Sequence, residues 1–321
     1  MNKKSLCIQL ICLVIALFFA TIVFAQDAET QKKNWLLGVI FKLEKMRDDA
    51  VVKIKNTDVQ IRAAENTIRK AEEIIRLSIE QRDSEAERIA RQALDTAQKA
   101  KAKAQEVKRI AELRKLRAEK SIARVRNLLA ELVSANVKVK SVVTDHSGKV
   151  EYSSRKDHKW APLEKDKAGY LESGDAIRTG HNGRAEAYFL DGEGVVRLGP
   201  NSSFALEEDM SGQQIIEFPK GFIQLEAEKY FKVRTPNTWV TVRGTELLLS
   251  EVEDKGTELI VFKGIVELSD LKGRKTVIVK AGYKTKVPVN GIPLKPYKVD
   301  LTRIQRWWEE TEENNLYKRA K

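Results

Sequence analysis

The chain has 321 residues, enough for two domains, and its 42% hydrophobic content is above what a disordered polymer carries. Its 58 Lys and Arg against 46 Asp and Glu give a formal +12, a balance that would point to nucleic acid in a cytosolic protein. The two cysteines, Cys7 and Cys12, lie close to the N-terminus, so the remainder has no disulfide and no thiolate metal ligand.

Residues 1–25 read as a cleaved export signal. Lys3 and Lys4 form its positive start, Leu6 to Val23 is an apolar run, and Val23-Phe24-Ala25 precedes the cleavage point. The alternative is an uncleaved inner-membrane anchor, because the run approaches bilayer-spanning length. Cleavage is favoured by Gln26-Asp27-Ala28-Glu29, which follows without a basic stop-transfer cluster. A lipoprotein site at Cys12 is disfavoured by the bulky Ile11 before it. The expected address is a bacterial periplasm, where nucleic acid is not a partner. The mature chain keeps 56 basic against 46 acidic side chains. That charge raises encounter with anionic envelope surfaces without specifying one.

Residues 30–135 are expected to form a helical coiled-coil arm. From Val39 to Ser147 there is no glycine and no proline, and strong helix formers prevail. In the first half Ile40, Leu43, Ala50, Ile54, Ile61, Ala64, Ile68, Ala71 and Ile75 follow a heptad alternation, interrupted at Arg47 and Thr57. In the second half Ala90, Ala93, Ala97, Ala100, Ala104, Val107, Ala111, Ala118, Val125, Leu128 and Leu132 follow another. The two frames do not join between Ile75 and Ala90. Either one helix stutters there or two helices turn. The turn is favoured by Ser84-Glu85-Ala86-Glu87, which has the form of a capping box. A weaker break at Thr57-x-x-Gln60 leaves three helices open. Lys99 to Arg126 is rich in Lys and Arg; it reads as a solvated face partly paired with acids such as Glu72 and Glu73, or as a contact for an anionic envelope surface. Self-association through the arm is a further possibility.

Residues 137–289 carry strand patterning. Short apolar–polar alternations are separated at close intervals by turn residues, as at Gly174-Asp175, Gly180, Asn182-Gly183, Asp191-Gly192 and Gly199-Pro200-Asn201. Expected strands are short, and many: Val137–Val143 and Lys149–Tyr152 as an opening hairpin, then Ala176–Arg178, Ala185–Leu190, Val195–Leu198, Ser203–Leu206, Gln214–Phe218, Phe222–Ala227 and Tyr230–Arg234. Trp239–Arg243, Glu246–Val252, Glu258–Phe262, Ile265–Ser269, Thr276–Val279 and Lys284–Val287 complete the set. Such spacing suits a sandwich or a β-solenoid.

Within this region Gly174-Asp175, Thr179-Gly180, Gly183-Arg184-Ala185, Asp191-Gly192, Asn201-Ser202, Thr235-Pro236 and Arg243-Gly244-Thr245 follow one another in a definite order and spacing. In that order they resemble the FecR family of periplasmic signalling domains, and Trp160 stands where such sequences often carry a tryptophan. The resemblance implies a β-helical or solenoid-like stack that binds protein or cell-wall ligands. Gly180 and Gly183 are expected to supply positive φ at a tight corner. Asp175 and Thr179 are expected to cap turns, and Arg184 and Arg243 to bond loop carbonyls. Family members that regulate transcription place a cytoplasmic domain before their membrane helix. Only about five residues precede the apolar run here, so that regulator is not expected and iron-siderophore signalling does not carry over.

No catalytic constellation accompanies these motifs. His146, His158 and His181 match no zinc spacing, and Ser202 and Ser203 have no nucleophile elbow. Neither a metal nor a cofactor is expected, and a wall hydrolase is disfavoured. Residues 300–321 read as a helical tail capped by Asp300, with Leu301, Ile304 and Trp308 on one face beside Trp307. The expected class is α+β and multidomain: a helical hairpin or coiled coil, an all-β FecR-like unit, and a short C-terminal helix. The expected function is a non-enzymatic envelope binding or scaffold protein; the alternative is an accessory sensor acting with a separate membrane regulator.

Overall fold

A computed structural model describes residues 3–132, 137–164, 166–189 and 194–304, with side chains from Thr30 onward. Two helices, α1 (Lys3–Gln81) and α2 (Ser84–Leu132), precede one large curled antiparallel sheet. The expected export segment has no described side chains. The tail beyond Ile304, with Trp307 and Trp308, lies outside the described residues; before it, Asp300 caps a 3₁₀ turn at Leu301–Arg303 by accepting from the Thr302 amide. Among the described residues no helix is long and apolar enough to cross a membrane. Two compact units emerge, Phe41–Ile122 and, separately, the segment up to Ile40 joined with Ala123 onward.

The first unit is a helical hairpin that turns at Arg82-Asp83. The Asp83 amide donates to the Ser78 carbonyl at 2.9 Å and the Arg82 amide to Ile79 at 3.2 Å, with Arg82 at φ 55°. This is the double closure that ends many helices with glycine, made here without one. Asp83, not Ser84, then caps α2: its Oδ1 accepts from the Ala86 amide at 3.0 Å. The capping-box expectation misses by one residue because Ser84 already has helical geometry. Thr57 does not break α1; its hydroxyl donates back to the Lys53 carbonyl at 2.7 Å.

In this unit the buried column of α2 is Ala90, Ala97, Ala104, Ala111 and Ala118, one residue per heptad. The partner column on α1 is Ala50, Thr57, Ala71 and Ser78. Ala93 and Ala100, expected in the seam, are exposed. Small residues fill this column, and beside it on α1 Ile54, Ile61, Ile68 and Ile75 of the expected heptad are half-buried. Lys101 and Lys108 flank it and reach across to Glu65 and Asp58 at 3.0 and 2.7 Å. These α1 acids pair with the basic stretch where Glu72 and Glu73 were expected, and Lys99, Arg109 and Lys115 pair along α2 with Asp95, Glu106 and Glu119.

In the second unit the strands are β1 (Ser141–Ser147), β2 (Val150–Ser153), β3 (Trp160–Pro162), β4 (Gly169–Leu171), β5 (Ala176–Thr179), β6 (Arg184–Phe189), β7 (Gly194–Leu198) and β8 (Ser203–Glu208). They continue with β9 (Gln214–Arg234), β10 (Thr238–Val252), β11 (Gly256–Asp270), β12 (Thr276–Lys280), β13 (Tyr283–Val287) and β14 (Tyr297–Lys298). Seven expected short strands are thus three long ones. Gly244, at φ +61°, stands in a register shift between β10 and its neighbours, and Gly264, at φ +80°, faces it across the ladder. A Cβ on Gly264 would lie 2.4 Å from the Gly244 carbonyl. Glycines that fall between the expected short strands are bulges, which bend a strand without ending it.

The sheet forks at β9. Its first part pairs with β8, its middle with β7, and β10 runs along its second half. One branch continues β8-β5-β2-β3, the other β7-β6-β1-β4. Every ladder among the described residues is antiparallel, the pattern of hairpins and not of stacked parallel coils. Both branches feed one core, where Phe189 meets Phe231 edge-on at 5.3 Å and Phe204 at 5.8 Å.

The ends of the helices belong to this unit as well. Lys32 Nζ donates to the Leu132 carbonyl at 3.1 Å, supplying a cation to the last turn of α2, which has no basic residue there. Arg124 is only 8% exposed and its Nη1 donates to Asp145 Oδ1 on β1 at 2.5 Å. The sequence placed Arg124 on a basic surface. It is an internal anchor.

Candidate functional site

The residues of the family motif gather from distant positions into one corner. Thr179 Oγ1 donates to the Gly199 carbonyl at 2.6 Å and accepts from the Ser202 amide at 2.9 Å. The Gly180 carbonyl accepts from the Gly183 and Asn201 amides. Ser202 Oγ donates to the Pro200 carbonyl and accepts from the Phe222 amide at 2.8 Å. Gly180 and Gly183 do not have positive φ. They are required for close approach: a Cβ on Gly183 would stand 2.1 Å from the Lys149 carbonyl oxygen.

Asp175 ties down a second loop. Its Oδ1 accepts from the Arg155 amide at 2.9 Å and its Oδ2 from the Glu172 amide at 2.8 Å, beside Gly174 at φ +88°. Thr245 Oγ1 closes the bulge by accepting from the Arg243 amide, while Arg243 itself is exposed. Arg184 opens β6. Asp191 and Gly192 lie outside the described residues. Of the three histidines, His146 meets the Lys167 carbonyl at 3.1 Å and burial holds its pKa below the usual value. None of these geometries converges on a reacting atom.

Thr235 begins a buried polar chain under the turn from β9 to β10. Its Oγ1 accepts from the Asn237 and Thr238 amides, which directs its own proton to Thr257 Oγ1. Thr257 in turn donates to Glu251, whose other oxygen accepts from Asn237 Nδ2 at 2.8 Å. Burial raises the Glu251 pKa, against the pull of these donors. The Thr-Pro motif thereby fixes the turn that carries Pro236 outward.

Pro236 borders a groove of about 510 Å³ on the outer face of the sheet. Strand register builds it. Trp160, Ser153, Ala176, Ala205 and Glu217 stand opposite one another across β3, β2, β5, β8 and β9. Ala176 and Ala205 between an indole and a carboxylate, with Ser203 beside them, leave a trough running across the strands, about 19 Å from end to end at ordinary strand spacing. Trp160, 38% exposed, closes one end, with the Arg178 guanidinium 4.2 Å from its ring centre and held by Glu151 at 2.8 Å. At the other end Arg234 lies 5.6 Å from the ring of Trp239 and donates to Glu217 at 2.8 Å. Each tryptophan is thus backed by an arginine, and each arginine by a carboxylate. Arg178 holds Glu151 below the usual carboxylate range. Burial raises Glu217 despite Arg234.

Sequence reasoning found Trp160, Thr235 and Pro236 but missed Glu217, Arg234 and Trp239 as a group. Trp239↔Arg234 and Ala205↔Glu217 are cross-strand neighbours, and only the pairing of strands reveals them.

Against known proteins, the family model described as FecR protein matches residues 175–267, so this part of the chain is a FecR domain. Two crystal structures of a Parabacteroides distasonis ATCC 8503 protein, provisionally designated an anti-sigma factor, are partly similar. Each is 18% identical over 41% of this chain, with TM-scores of 0.37 and 0.36. The chain spans 64% and 63% of their lengths, under two thirds. Among curated proteins no match is found.

Proposed function

We propose, with the FecR domain at residues 175–267 as premise, that this chain is an exported, non-enzymatic binding protein of the cell envelope. The observation that carries this reading is the groove between Trp160 and Trp239. It is concave, mostly apolar and bounded by a few fixed polar groups, as recognition sites are. Asp175, Thr179, Ser202 and Thr235 of the motif, in contrast, are occupied in holding turns. Residues 1–25 act as the export signal, and the helical hairpin serves as a spacer. Its exposed Phe41, Val52 and Val59 offer surface for self-association, and its basic stretch offers attraction to anionic envelope polymers.

The test is retention of the purified protein on envelope fractions and purified cell-wall sacculi. Replacing Trp160 and Trp239 together by Ala is expected to abolish retention while thermal unfolding stays unchanged. Undiminished retention would show that the groove is not the binding face. Incubation with labelled wall material is expected to release no product; turnover would overturn the non-enzymatic reading.

A second reading is favoured by the FecR match: an accessory component of cell-surface signalling that passes an external state to a separate membrane regulator. Here the groove binds a protein and not the wall. Retention by envelope proteins after removal of sacculi, sensitive to the same substitutions, would favour it.

A further inference from the structure

The groove's polar groups narrow what it takes. Glu217 and Arg234 stand side by side, so any occupant passing Trp239 meets an acceptor and a donor within one contact radius. A hydroxyl group donates to one and accepts from the other, leaving the ion pair intact. A proline-rich peptide presents carbonyls, which only accept. It adds an acceptor for Arg234 and offers the half-buried carboxylate no donor beyond the one Arg234 already supplies. An anionic occupant meets Glu217 unfavourably, and a cationic one competes with the arginine already in place. The charge pattern is that of a neutral ligand rich in hydroxyls.

The apolar side of the groove agrees. Ala176, Ala205 and Ser203 contribute small side chains to its floor, and the two indoles line it with Pro219, Pro236 and Leu271. A trough floored by small side chains and ended by indoles suits an extended molecule having C–H faces for the indoles and hydroxyl edges for the ion pair. We infer that this groove binds a neutral, extended β-linked glycan strand, with sugar faces on Trp160 and Trp239 and hydroxyls on Glu217 and Arg234. The inference rests on the binding reading above and gives its ligand class.

The experiment is a titration of the purified protein with chitotetraose, read by calorimetry and tryptophan fluorescence. Maltotetraose, a coiled α-linked chain, and a hexaproline peptide are the comparators. Chitotetraose is expected to bind and to perturb the fluorescence, with Trp239→Ala and Trp160→Ala each weakening affinity roughly tenfold or more. Ala205→Leu, which fills the trough from its floor, is expected to do the same without removing an aromatic reporter. Equal affinity for maltotetraose would overturn the extended-strand inference. Binding of hexaproline alone would overturn the glycan class in favour of a peptide. If no oligosaccharide binds, yet sacculus or envelope retention remains sensitive to the tryptophan substitutions, the glycan inference fails and the binding function stands. If neither occurs, both fail.

Discussion

The helical hairpin and the β unit solve the same problem with opposite distributions of contact. In the hairpin, stabilisation is spread along a column of alanines, one per heptad, and charged residues bridge at the surface. No single side chain carries much. In the β unit, the strands share an aromatic core, but the corners depend on a few buried polar groups, each satisfying two or three partners: Asp175, Thr179, Ser202 and Glu251. The difference teaches where substitution is tolerated. A regular helix satisfies its own backbone, whereas a curled sheet leaves amides at its corners that need a specific acceptor.

The strongest test of this contrast is Arg124→Ala. It leaves Asp145 buried without its counter-charge and is expected to cost about 3–5 kcal/mol in urea denaturation. The double change Arg124→Met with Asp145→Asn is expected to recover most of that loss, since no uncompensated charge remains. Next, Asp175→Ala orphans the Arg155 and Glu172 amides together, and about 2–3 kcal/mol of destabilisation is expected.

In the hairpin the effects are smaller and depend on position. Ala104→Leu forces the seam apart and is expected to cost about 1–3 kcal/mol, while Ala100→Leu on the exposed face stays within about 0.5 kcal/mol. Equal effects at the two sites would mean that Ala104 does not face the partner helix. Breaking the surface pair Lys101–Glu65 by Lys101→Ala is expected to leave the unfolding midpoint within error at moderate salt.

A final distinction concerns pH. The folded pKa of Glu251 is raised by burial, so its contribution to stability is fully present below the unfolded carboxylate value and is lost as pH rises through the folded one. Glu251→Gln removes that titration. Denaturation midpoints measured between about pH 4 and pH 8 are expected to slope less in the variant. Identical slopes would assign the buried proton elsewhere.

Much of the hairpin was legible in the sequence because helix periodicity is local: the phase slip between Ile75 and Ala90 located the turn to within a few residues. Its cap was misassigned to Ser84 because Arg82 adopts a left-handed conformation that no glycine announces. In the β unit the alternation found most strands but not the short β3, β4 and β14, and it placed Gly244 and Gly264 in gaps between strands. A bulge and a turn place glycine in similar conformations, and only the continuation of pairing on both sides separates them.

The site divides along the same line. The motif residues were visible because their order and spacing match the family's pattern, and their expected roles in turns rest on their own neighbourhoods. The groove was not visible. Its members lie on β3, β5, β8, β9 and β10, and no local rule relates Trp160 to Glu217. Sequence alone determined the helical arm, the strand-rich region and the FecR motif, because each depends on residues near one another in the chain. Tertiary structure decided the fork at β9, the burial of Arg124 and the small-residue trough. These depend on strand register and long-range packing, where a shift of one residue exchanges the faces of a strand.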